Sequence, residues 1–307
     1  MASMGLALMA APVLADDTRI EAVGMLGVGA FGPRATTTLD AGIDLARGDV
    51  ALGLGGRVRL VAGEGFRYAD WDEPGEGARL LRYATYARKA THPGETTWSF
   101  ALGPLSGVRL GHGAIVSGFT TGLDLDHGRT GLNGRIATAE NETETLVDDI
   151  THPTVVALRS AWRLPHGLRL GSTMAIDTSA PANDGATQWL GVAGAELEWA
   201  TSPERNGLVA GLTADLVDTV GVGGGVNAGA FTTLFTNGVR TAELRAEVRY
   251  GAAGYLPGWF SPLYEVSRRR FGLERAGTGE TQLAVAEARR LGGLGGRAEL
   301  ALSHPRV

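Results

Sequence analysis

The residues able to do chemistry in this chain are few and scattered. Asp124-Leu125-Asp126-His127 places two carboxylates on the same side of an extended segment, and Ca²⁺ takes oxygen ligands of that kind. The run lacks the further acidic positions of a Ca²⁺ loop, so Asp124 and Asp126 are weak metal candidates and otherwise solvated loop residues. The same reading applies to a second acidic group, Asp70, Asp72 and Glu73. Ser117, His127 and Asp124 have the residue types of a hydrolytic triad, but nothing in their spacing brings them within hydrogen-bond reach. His112, between Gly111 and Gly113, reads like His127 as a polar lumen or loop residue. Gly221–Gly225 (GVGGG) neither opens a helix nor carries a lysine, so it reads as a flexible turn and not a phosphate cradle. There is no P-loop, dinucleotide fingerprint or metalloprotease helix. The expectation is a non-enzyme without a cofactor.

The other charged residues obey a different rule, because they alternate with apolar ones. In 240–250 (RTAELRAEVRY), Glu243, Arg245, Glu247 and Arg249 share one face of a strand. Ala242, Leu244, Ala246, Val248 and Tyr250 share the other, whereas a helix would scatter the charges around its circumference. Arg57 and Arg59 alternate with Val58 and Leu60, Ala157 and Arg159 with Val156 and Leu158, and Glu196 and Glu198 with Leu197 and Trp199.

This period predicts strands near 19–31, 36–46, 50–61, 79–89, 96–103, 129–138, 143–149, 153–163, 167–177, 187–199, 207–217, 226–236, 238–250, 280–290 and 294–302. Many are longer than the five or six residues usual in soluble sheets. Short turn sequences at 46–49, 92–95, 164–167, 203–207 and 236–238 alternate with longer stretches at 62–78, 104–128, 178–186, 218–225 and 251–279. The segment 107–117 is a further strand candidate and 280–290 reads equally as a helix. About 14–16 strands are therefore expected.

Composition narrows the class. The 307 residues include 47 glycines, carry a net charge of -5 and contain no cysteine, which excludes disulfides, thiolate metal sites and a cysteine nucleophile. No basic run exceeds Arg268-Arg269-Arg270, so nucleic acid is not an expected partner. Met4–Ala15 is apolar, ends in a small-x-small pattern before Asp16, and falls short of the roughly 20 residues that span a bilayer. It predicts a signal peptide over 1–15, cleaved after Ala15, and one domain over 16–307.

With this leader, the long alternating strands, the Gly-rich turns and the absence of cysteine, the chain resembles Gram-negative outer-membrane β-barrels of the porin-like kind. The resemblance implies an all-β fold, a closed antiparallel transmembrane β-barrel with short periplasmic turns and long extracellular loops. It implies an outer-membrane location, contact with membrane lipid and lipopolysaccharide, and insertion by the outer-membrane assembly machinery. The last residue, Val307, departs from the aromatic ending usual in such barrels.

The function expected on this footing is a channel for passive diffusion of small polar solutes. A non-conducting barrel whose loops bind a partner or a surface glycan is the alternative, and an outer-membrane hydrolase comes third. Arg57, Arg59, Glu243, Arg245, Glu247 and Arg249 are the pore-lining candidates. The segment 104–128 is expected to fold inward as a constriction, with Asp124 and Asp126 facing arginines across it. In 251–279, Arg268, Arg269 and Arg270 would form a cationic mouth, carried by a short helix opening at Ser261-Pro262. Tyr255, Trp259, Phe260 and Tyr264 suit a membrane-interface belt or a sugar-stacking surface.

Overall fold

A computed structural model describes residues 4–9, 13–15, 18–31, 34–68, 71, 77, 80–88, 90–92, 94–122, 129–181, 187–200, 206–217, 221–236, 241–252, 259–265 and 293–303. The strands run β1 (Met4–Met9), β2 (Val13–Ala15), β3 (Thr18–Phe31), β4 (Arg34–Arg47), β5 (Val50–Val61), β6 (Gly65–Phe66), β7 (Leu81–Arg88), β8 (Thr97–Gly103), β9 (Val108–Arg109) and β10 (Ser117–Phe119). They continue as β11 (Gly131–Ala137), β12 (Asn141–Val147), β13 (Val155–Arg163), β14 (Leu168–Pro181), β15 (Thr187–Ala200), β16 (Asn206–Val217), β17 (Gly221–Thr236), β18 (Thr241–Gly251) and β19 (Gly293–Ser303).

Among the described residues, antiparallel pairing runs without a break through fourteen strands, from β3 through β4, β5, β7, β8 and β11 and on in chain order to β19. The other edge of β3 carries β1, from Met4↔Val28 to Met9↔Val23, and β2, from Val13↔Ile20 to Ala15↔Thr18. Met4–Met9 and Val13–Ala15, within the stretch expected to be a leader, therefore lie along that edge as extended chain.

The strands form because period two satisfies both faces at once, and their turns are chemically specified. Arg47 pairs with Val50 around Gly48-Asp49, and Gly48 takes φ 56, a conformation that only glycine adopts without cost. Between β7 and β8, the amide and hydroxyl of Thr91 donate to one Glu95 oxygen at 2.9 and 3.0 Å and hold that carboxyl below its ordinary range. Those bonds are made by the carboxylate, so they are lost as pH falls through this lowered range.

Two expectations need correction. Gly221–Gly225 is not a turn but the first part of β17, in register with Val217 back to Thr213, because pairing along the whole of β16 overrides the low strand preference of glycine. The segment 107–117 adds no strand to the large sheet. Val108–Arg109 pairs instead with Ser117–Phe119 in a separate two-stranded ribbon. The candidate strand or helix 280–290 lies outside the described residues.

Candidate functional site

The sheet inverts the burial rule of a soluble protein. On β13, Val156, Leu158 and Trp162 are exposed while Arg159 is 2% exposed. On β15, Leu197 and Trp199 are exposed and Glu198 is buried, and on β18, Leu244 and Val248 are exposed and Arg245 and Glu247 are buried. Charged side chains are rarely covered unless they are paired, and an exposed leucine or two means little. A whole apolar face turned outward over a charged face turned inward is a different matter, and it needs an apolar surrounding.

The charged face is covered by a segment of the chain itself. Beyond Gly103 the backbone crosses it, and Leu105, Leu110, Ile115, Val116 and Phe119 pack against Leu146, Val155, Ala175, Leu190 and Val192 of the wall. The inward fold expected of 104–128 is thus present over its described part, 104–122. Its far point is fixed by polar contacts. The Gly111 amide donates to Glu144 Oε2 at 2.9 Å, and His112 Nε2 lies 2.9 Å from Glu198 Oε2. Arg245 Nη1 donates to the His112 carbonyl at 2.7 Å, and the His112 ring lies 5.3 Å from that of Phe231. Gly111 has φ 52, and a Cβ there would sit 2.2 Å from Arg159 Nε, so glycine is required on two counts.

Beneath that point Arg159 gathers three carboxylates. Its Nε and Nη2 donate to Glu196 Oε1 at 2.9 and 2.5 Å, and its Nη1 donates to Glu144 Oε2 at 3.1 Å and to Glu142 Oε1 at 3.5 Å.

A second segment, 259–265, enters from the same end of the sheet, since β8–β11 and β18–β19 are joined on that side. The Ser117 amide donates to the Phe260 carbonyl at 3.0 Å, the Phe260 amide to the Ile115 carbonyl at 3.2 Å, and the Tyr264 hydroxyl to Asp177 Oδ2 at 2.7 Å. Trp259, Phe260 and Tyr264 are therefore interior residues, not an outward-facing belt, because their apolar area is taken up by the first inward segment.

No protein-family model matches the chain, and neither does any curated protein sequence. The resemblance among solved structures is porin-like. The chain is similar to the anion-selective porin from Comamonas acidovorans, with 8% identity and a TM-score of 0.36 over 85% of this chain and 92% of that one. It is also similar to OmpT, an outer membrane protein of Vibrio cholerae in its trimer form, with 10% identity and a TM-score of 0.36 over 81% and 86% of the two chains.

Of the expected pore-lining residues, Arg57, Arg59, Arg245, Glu247 and Arg249 lie on the charged face. Arg57 Nε donates to Asp40 at 2.9 Å, Arg59 is buried beside it on β5, and Arg249 Nη2 donates to the buried Glu247 at 2.7 Å. Glu243 shares their register, opposite Ala301. Arg57 and Arg59 are on β5 and the other four on β18, and the two strands are not paired with each other among the described residues. Asp124, Asp126, His127, Tyr255, Arg268, Arg269, Arg270 and the acidic group Asp70, Asp72 and Glu73 lie outside the described residues. Sequence reasoning passed over Arg82, whose Nη1 donates to Asp44 at 2.8 Å, and the docking role of His112. Glycine pointed to both. Arg82 lies against Gly42 and Gly55, where a Cβ would come within 3 Å of it, and His112 is flanked by Gly111 and Gly113.

Proposed function

We propose that residues 16–307 close into a transmembrane β-barrel of the Gram-negative outer membrane that serves as a channel for passive diffusion of small polar solutes. The reading rests on the inverted sheet. An apolar outer face suits hydrocarbon, a charged inner face suits water, and a sheet in lipid must close so that every backbone group is paired. Cleavage after Ala15 would free the β3 edge along which Met4–Met9 and Val13–Ala15 lie. Pairing of that edge with β19 would then complete a ring of fourteen strands, the even number expected of bacterial barrels. The mature protein is therefore expected to have the intact mass of a chain beginning at Asp16, and retention of the first fifteen residues in the membrane-inserted protein would overturn this step.

The two inward segments fill the side of the interior formed by β12–β18, while ion pairs on β3–β5 and β7 stay accessible to water. On the channel reading, the polar path runs along that wall. Purified protein in a planar bilayer is expected to give discrete current steps. A protein that inserts and gives none would favour a non-conducting barrel that binds through its loops, a reading supported by the dense packing of Trp259, Phe260 and Tyr264 in the interior.

A further inference from the structure

The ion pairs on the accessible wall share an asymmetry that bears on what passes along it. Arg19–Glu21, Arg57–Asp40 and Arg82–Asp44 lie on β3–β5 and β7, and Arg135–Glu142 lies at the border with the filled side, its exposed arginine on β11 and its buried carboxylate on β12. Their arginine and carboxylate side chains are exposed by 50 and 28%, 48 and 25%, 36 and 19%, and 51 and 8% respectively. In each of these four pairs the arginine is the more exposed partner, and in Arg34–Glu64, at the end of β4, the two are equally exposed. The reason is reach, since a short carboxylate lies against its strand while the arginine stem carries the guanidinium past it into water. Each of the four pairs is then a dipole with its positive end toward the interior water.

The opposite wall withdraws negative charge. Glu144, Glu196 and Glu198 are at most 16% exposed at their side chains, the first two paired with Arg159 and the third with Arg169 and within hydrogen-bond distance of His112, beneath the inward segment. The net charge of -5 therefore says little about the field a solute meets. We infer that the accessible path prefers anions, namely small carboxylates, phosphates and inorganic anions that guanidinium groups recognise. The inference rests on the channel reading and names its solute class. It uses neither the arginines at 268–270 nor the acidic pair at 124 and 126.

The test is the reversal potential across a planar bilayer under a KCl gradient, with both solutions at or below about 0.1 M so that the Debye length stays near 10 Å. Wild-type protein is expected to be chloride-selective. The triple variant Arg57→Gln, Arg82→Gln, Arg135→Gln removes three exposed cations, leaving Asp40 and Asp44 without their arginines and Glu142 with Arg159, and is expected to lower the anion-to-cation permeability ratio about tenfold. The corresponding lysine triple variant should keep the wild-type ratio, and it maintains the test if the glutamine variant does not fold. Channels that conduct but favour potassium would overturn the inference while leaving the channel reading standing. So would an unchanged ratio in the glutamine variant, or a cation-selective lysine variant. Absence of any current would overturn both.

Discussion

Replacing Arg159 with leucine is expected to destabilise the folded chain by about 3–5 kcal/mol, the usual cost of removing one partner from a buried ion pair. Arg159 is 2% exposed and bonds Glu196, Glu144 and Glu142 at once. Its loss would leave three carboxylates facing one another under the inward segment, and the Gly111 amide that donates to Glu144 would share in the disturbance. Urea unfolding in lipid or detergent reads the difference directly. Adding Glu196→Leu should recover part of the loss, because an apolar pair of similar volume replaces a stranded charge. A single variant within 1 kcal/mol of wild type would mean that the cluster is hydrated and that the inward segment does not seal it.

The second large effect separates a membrane sheet from a soluble one. Leu244 is exposed on β18 and its neighbour Arg245 is buried. Leu244→Arg is expected to cost up to about 2–4 kcal/mol in bilayer-folded protein, since a cation on the lipid face of the sheet has no water around it. On the surface of a water-soluble sheet the same change would fall within about 0.5 kcal/mol. Folding into vesicles of defined phospholipid, followed by denaturant titration, distinguishes the two. A neutral result would remove the membrane reading and the channel with it.

Much of the sheet was legible because period two is a local property. The charges of Arg240–Tyr250 sort to one side whatever the rest of the chain does, and β18 carries Arg245 and Glu247 inward as that sorting predicts. Segments without a period misled. Gly221–Gly225 has no side chains to show which state it adopts, and its partner β16 decides. Trp259, Phe260 and Tyr264 are equally suited to a bilayer interface and to a packed interior. Only the position of Val116 and Phe119 assigns them to the latter.

The sequence by itself determined which residues share a face, because alternation along a strand needs no distant contact. It also determined where tight turns such as Gly48-Asp49 fall, because the positive φ of Gly48 is needed locally. Tertiary structure alone decided which charges meet. His112 and Glu198 are 86 positions apart, and Arg159 and Glu196 are 37 apart. Their encounter depends on strand register, where a slip of one residue would turn every side chain to the other face. It depends equally on an aperiodic segment folding inward, and that fold is held by contacts between residues remote in the chain, which no local pattern encodes.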